Sequence, residues 1–572
     1  MANNKLEAAV SAELITDFNS IREEIGLRIE ENSLYPALAL DSSKDVAPTL
    51  VKTANNKYYL IAKQIEEGNF SANGCAFSII GSRNVNIVYY GSYFTWEASQ
   101  KISEPAAPNQ ANALARVLAI DNVTVNRDMP LDKYRGFQEE FHVVINPVEK
   151  KDVKIFVYEV GKGGVVSAYN KDRASAEETA MELINKVSAI KNEDKDLIKE
   201  IILKNKSSKF ALLDTLMNRN NLSFLLASSK INIQELTALP WEQLKDSLLA
   251  LYNGQQVFIL SPEPMENPLL KKTSDYKNLG EALDNLIGDA SLGVEEKDLD
   301  IGRVLEIGLD KVKNATELFR AWREQSAHSD LPYYVIAAQA TRYALENALA
   351  FVKKAIEAKR KMSENDAEEK FLELLNEFKL KYNLSLDLRK YFVVLHAGTR
   401  TPYPSLSSGF PLSTEMNSLK IDAGILIFQN GILHGCSDMA RTLVLTKEGK
   451  EVYDLMERSM IENAIPAAKQ GNTGSDVYWA GVSPLVKMEG KIKEWGMLPP
   501  DAAIRDVYNR DIGHIMAKQE PVTLALVKEE RSQRLQSGMI GSVEYQWPYK
   551  KHALGVEDMF LVTQEKGVNI AR

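Results

Sequence analysis

The segment 419–445, LKIDAGILIFQNGILHGCSDMARTLVL, sets two aspartates, Asp422 and Asp438, in a run otherwise built for burial. A buried carboxylate costs several kcal/mol unless it is paired, fully hydrogen-bonded or bound to a metal. QNG at the centre of the run is a turn signal. A three-residue loop centred on residue 430 puts the two aspartates directly opposite each other, with Cβ atoms roughly 4.5–5.5 Å apart. Charges that close repel, and a divalent cation between them relieves the repulsion. A two-residue Asn-Gly turn shifts the register by one and breaks the facing. A solvated polar pair at a hairpin end is the alternative reading. Downstream stand His514 in RDIGHIMAKQEP, Glu544 in LQSGMIGSVEYQW and Glu557 in LGVEDMFLVT. Each alone is ordinary. Together with the aspartates they offer enough carboxylate to hold two hard or borderline divalent ions, and Mn, Co, Fe and Zn all suit such a set.

The elements that must position these residues fall into three blocks. Residues 1–205 open with helical periodicity (Leu6, Val10, Leu14, Ile15, Phe18, Ile21) and continue into strand-like runs, YYLIA, CAFSII, VNIVYY and FHVVI. VKIFVYEVGKGGVVSAYN follows and reads as a hairpin turning at its glycines. No Gly-Lys-Ser/Thr follows GKGG, so a phosphate loop is the weaker reading. Residues 206–328 alternate helix and strand signals (FALLDTLMNR, LSFLLA, QQVFILS), the pattern of a small α/β domain. Residues 329–572 carry two long helical patterns, a strand at RKYFVVLHAG, the opening hairpin, two further helices and strand-rich segments.

The 572 residues exceed what one core supports. A net charge of −9 argues against nucleic acid or an anionic membrane surface as the main partner. Cys75 and Cys436 are too few for a disulfide framework, which suits a reducing compartment. The N-terminal stretch has no basic segment followed by an apolar run, and no stretch approaches the ~18 apolar residues of a membrane span. The expectation is a cytoplasmic protein.

The order and local sequence of the ligand-type residues resemble the pita-bread metallopeptidase family, which includes methionine aminopeptidase, aminopeptidase P, prolidase and creatinase. The family's I-D-x-G and S-D-x-x-R-T are matched by IDAG (Asp422) and SDMART (Asp438, Arg441). Its G-H ligand matches His514, its P-G-M-x-x-x-x-E matches SGMIGSVE ending on Glu544, and its E-D-x-x-x-V-T matches EDMFLVT beginning on Glu557. The resemblance implies an α/β and α+β multidomain chain. A C-terminal pita-bread domain (329–572) would follow a creatinase-type α/β domain (206–328), with residues 1–205 an additional N-terminal α+β domain outside the resemblance. It also implies a homodimer.

Three departures accompany the matches. The aspartates lie further apart in sequence than in the family's usual hairpin. Ser405 in GTRTPYPS stands where the peptidases carry a histidine, and Gln519 in QEP stands where they have the histidine of H-E-P. Serine and glutamine donate hydrogen bonds but do not shuttle protons near neutral pH. His396, His434 and His552 are the nearby stand-ins. His434, four residues before Asp438 and on the same strand face, is the most interesting, the alternative being a hairpin-tip histidine facing solvent.

The reading that follows is a dinuclear metal-dependent hydrolase, similar to aminopeptidase P and prolidase, in which a water bridging two divalent ions attacks an amide. By that resemblance Asp422 holds one ion, Asp438 and Glu557 bridge, and His514 and Glu544 hold the other. Glu544 is the general base, joined by His434 in catalysis, while Arg400, Ser405 and Gln519 meet a peptide or small polar amide. Non-peptidase chemistry on a small polar C–N substrate, or a non-catalytic binding module, are the other readings.

Overall fold

The computed structural model describes residues 154–572 apart from 188–189, 205–208, 296–311, 402–408, 413–415, 495–502, 505–510, 519–523 and 550–551, together with the backbone of strands between residues 10 and 147. No described helix is long and apolar enough to cross a membrane. The chain divides into two compact units. The first comprises residues 1–92, 101–165 and 213–319, and the second comprises 93–100, 166–212 and 320–572.

The four strand-like runs of the N-terminal block are strands: Tyr58–Glu66, Cys75–Ile80, Asn84–Ser92 and Glu139–Pro147, all within one nine-stranded sheet. The opening helix is not among the described elements. Val10–Ile15 is instead a strand, antiparallel to Glu139–Pro147 with Val10 opposite Pro147 and Ile15 opposite His142. Pairing with a partner far along the chain overrides local periodicity in so short a segment.

The expected hairpin at 153–170 is also different. Ile155–Val160 is a strand, but the chain then enters a helix, Lys162–Lys186. The glycines lie in its first turn, where Gly161 O accepts from Gly164 N and Val165 N. Ala176, Ala180, Leu183 and Ile184 are buried at helical spacing, and this apolar face outweighs the turn signal of the glycines. Ile155–Val160 pairs with Val257–Ser261 on one side and Leu270–Tyr276 on the other, in a seven-stranded sheet that ends in the parallel strands Phe224–Ala227, Leu292–Val294 and Val312–Asn314. This sheet therefore draws on both sides of residue 205.

The second unit is a mixed α/β body. Leu331–Glu357 and Glu364–Lys381 are its long helices, the latter closed by a reciprocal Ser363–Asp366 cap. One sheet joins Asp387–Ala397, Ser418–Gln429 and Ile432–Cys436, with Met439–Val444 also on the central strand. The other orders Gly513–Met516, Ile540–Tyr549, His552–Val562 and Gly567–Asn569. Thr442 links the two, donating through Oγ1 to Gly555 O and accepting from Gly555 N, both at 2.8 Å. Helices Lys447–Ser459 and Gly474–Lys487 cover the second sheet, burying Met456, Val477, Tyr478 and Val482 with Val543 and Tyr545.

Candidate metal centre

The hairpin that carries the aspartates turns on two residues. Asn430 and Gly431 have φ of 51° and 77°, and Gln429 pairs with Ile432. Both central residues occupy the left-handed region, the condition of the hairpin turn that Asn-Gly favours. A bulge between Ile427 and Phe428 then adds one residue of offset. Asp422 consequently faces Ala440 and, on its other side, Val394. The direct Asp422–Asp438 facing expected from a three-residue loop does not occur. Asp438 lies two residues before Ala440, and so diagonal to Asp422 rather than opposite.

Asp438 sits in the short break between Ile432–Cys436 and Met439–Val444. Ser437 pins that break: its N–H donates to Ile425 O at 2.9 Å, and its Oγ accepts from Ile425 N at 3.1 Å and meets Thr341 Oγ1 at 2.6 Å. His514 enters from the other sheet. Gly513 before it has φ of 124°, and a Cβ there would fall 2.0 Å from Ser542 O, so only glycine allows this approach. Glu544 and Glu557 are directly opposed on neighbouring antiparallel strands, and Gln546 donates to Glu544 Oε1.

Asp438, His514 and Glu557 each offer a ligand atom, and the three atoms lie within 4.8 Å of one another. His514 Nε2 is 3.5 Å from Asp438 Oδ2, while its buried Nδ1 has no hydrogen-bond partner among the described residues. Burial drives the Glu557 carboxyl well above the usual carboxylate range, and the charges of Asp438, Glu544 and Asp422 push it further. Burial would lower the His514 imidazole. Its hydrogen bond to Asp438, with the charges of Asp438, Glu544 and Asp511, outweighs that and raises it. Clustered carboxylates and an orphaned imidazole nitrogen fit divalent cations.

An ion-pair network backs this cluster. Arg441 donates to Asp558 Oδ1, to Ala440 O and to Glu557 O. Arg572 Nε reaches Asp558 Oδ2 at 2.6 Å, and its other end reaches Glu457 at 2.8 Å. Burial would raise the Asp558 carboxyl, but these two arginines hold it below its usual value.

The remaining candidates separate. Arg400 puts Nε 3.1 Å from Glu364 Oε1 and lays its guanidinium 3.7 Å from the centre of the Phe410 ring. Fully buried Glu364 also accepts from the backbone of Ala397, Gly409 and Phe410, so Arg400 takes part in fastening a loop. His434 is no hairpin-tip residue: it is 1% exposed and stacks on Tyr333 with ring centres 4.2 Å apart. Its Nε2 meets Asp172 Oδ2 at 3.2 Å. His396 is buried opposite Lys420. Ser405, Gln519 and the His552 side chain lie outside the described residues. Sequence reasoning missed Gln546, although strand alternation puts it on the face of Glu544 two residues away.

Residues 334–564 match the family model of Metallopeptidase family M24. Among solved structures, the chain is similar to prolidase from Pyrococcus furiosus (16% identity, TM-score 0.45, covering 63% of this chain and 99% of that one). It is also similar to dipeptidase PepE from Mycobacterium ulcerans (14%, 0.48, 64% and 95%) and to Xaa-Pro dipeptidase from Bacillus anthracis (14%, 0.44, 64% and 97%). No curated protein matches.

Proposed function

We propose, from the match of residues 334–564 to the model of metallopeptidase family M24, that the chain is a metal-dependent hydrolase that cleaves an amide bond at a two-ion centre built on Asp422, Asp438, His514, Glu544 and Glu557. The observation that carries this is the convergence of Asp438, His514 and Glu557, with Glu544 opposite Glu557. In this reading Asp422, Asp438, His514, Glu544 and Glu557 would together hold the ions. Divalent ions, when bound there, would supply Lewis acidity. Glu544 is the general base, and Gln546 orients it by donating to Oε1.

The substrate is a peptide or a small polar amide. Ser405 and Gln519 occupy positions where the family's motifs carry proton-moving histidines, which favours weak cleavage of simple Xaa-Pro peptides or a non-peptide amide. His434 stacks on Tyr333 and meets Asp172, which favours a structural role for it over the catalytic one. Pairing of Ile155–Val160 into the seven-stranded sheet supports a creatinase-type unit that begins near residue 155, leaving about residues 1–150 as the additional domain. The test is turnover of a peptide and amide library by protein reconstituted with Mn, Co, Fe or Zn, beside Glu544→Gln. Metal-dependent hydrolysis that falls ~10²-fold or more in the variant supports the reading. Hydrolysis unaffected by chelation sinks it.

A further inference from the structure

We infer that Lys518 is a positioning residue, a latch that fixes the His514-bearing segment to the hairpin bearing Asp438 and so sets the spacing of those two ligands. The inference rests on the metal-site reading above. Lys518 lies four residues after His514, is 6% exposed and adopts φ of 55°. A non-glycine residue in the left-handed region is disfavoured by ~1–2 kcal/mol, so its contacts must hold it there. They are three. Its N–H donates to Tyr334 Oη at 2.8 Å, its Nζ donates to Leu433 O at 2.7 Å, and its C=O accepts from Cys436 Sγ at 2.9 Å.

Leu433 and Cys436 belong to the strand that runs into Asp438, two residues beyond Cys436. The chain from 436 to 438 and the chain from 514 to 518 are thus closed into a ring. The bonds of Lys518 to Leu433 and Cys436 form one end, and His514–Asp438, at 3.5 Å, forms the other. The pairing of Gly513–Met516 with Ile540–Val543 holds the segment on its other side, so loosening the first closure shifts the second.

A charged cluster holds the latch. Lys518 Nζ is 3.8 Å from Asp330 Oδ2, to which Lys209 Nζ donates at 2.6 Å. His434 stands between Asp330 (Nδ1, 3.8 Å) and Asp172 (Nε2, 3.2 Å), and Asn430 Nδ2 donates to Asp172 Oδ1 at 2.6 Å. Two carboxylates, two lysine amines and the imidazole thus pack into one buried set. His434 and the turn residue Asn430 serve this anchor.

The test compares Lys518→Met with Lys209→Met, which breaks the same cluster without touching either ligand-bearing strand in the contacts above. The readouts are the visible absorption bands of the cobalt-loaded protein, cobalt affinity by chelator competition, and the crystal structures. The latch predicts altered bands and ~10-fold or greater loss of affinity in Lys518→Met, with wild-type bands in Lys209→Met. Wild-type bands and affinity in Lys518→Met, or equal perturbation by both variants, overturn it. Cys436→Ala, which removes only the thiol donor, gives a smaller shift in the same direction and serves if Lys518→Met does not fold; no shift there overturns the latch. Should wild-type protein take up no cobalt, the proposed function fails, and the latch is judged on the metal-free structures alone. It then requires a longer His514–Asp438 separation in Lys518→Met than in Lys209→Met, and equal separations overturn it.

Discussion

Glu544 and Glu557 stand directly opposite one another on antiparallel strands, at 8% and 2% exposure. Without a cation, two carboxylates so placed repel at a site that water barely reaches. Glu557→Gln should therefore stabilise the metal-free protein by about 1 kcal/mol or more while abolishing the stabilisation that added metal gives. Calorimetric melts with and without Mn read both effects, and a metal-free variant less stable than wild type would contradict the account.

Arg441 is the fork that holds the Glu557 strand from behind. Lysine cannot reproduce its planar donor geometry toward Asp558 and two carbonyls. Arg441→Lys should lose about 1–3 kcal/mol in urea unfolding, since an ammonium keeps the charge beside buried Asp558 but leaves a carbonyl of Ala440 or Glu557 without its donor. Metal affinity should fall ~10-fold.

The candidate ligands are legible in the sequence because each sits in a short motif with a glycine or a paired charge beside it. The ladder between them was less so. Asn-Gly signals a turn, but whether two or three residues form it depends on φ at Asn430, and the bulge at Ile427 leaves no local mark. Asp422 and Asp438 were thus placed as direct rather than diagonal neighbours. GKGG misled in the same way: glycines permit a turn without requiring one, and the apolar periodicity of Ala176, Ala180 and Leu183 decides for helix. The partners of His434 and Arg400, which are Asp172 and Glu364, lie 262 and 36 residues away, beyond any local pattern.

The turn itself carries a prediction. Gly431→Ala places a Cβ at φ of 77° and should cost about 1–2 kcal/mol, seen as a lowered melting temperature. Asn430→Ala should cost at least as much, because it also removes the donor to Asp172.

Asp330 gives a pH dependence. Burial would raise its carboxyl, but Lys209 and His434 prevail and hold it below its ordinary 3.8. A depressed carboxylate contributes stability that is complete above the unfolded value and is lost as pH falls through the lower folded value. Asp330→Asn should destabilise by about 3–5 kcal/mol at pH 7, leaving Lys209 without its carboxylate. That deficit should hold steady down to about pH 5 and shrink below about pH 4. Urea unfolding of both proteins across this range measures it, and a deficit that grows on acidification would refute the assignment.

The central claim is that Asp438, His514 and Glu557 gather to hold metal. Anomalous X-ray diffraction from crystals grown with Mn tests it most directly. The account predicts anomalous density enclosed by Asp438, His514 and Glu557, in contact with Glu544 or Asp422, and absent from crystals of Asp438→Ala. Density confined to surface carboxylates, with the three side chains left empty-handed at saturating metal, would contradict it.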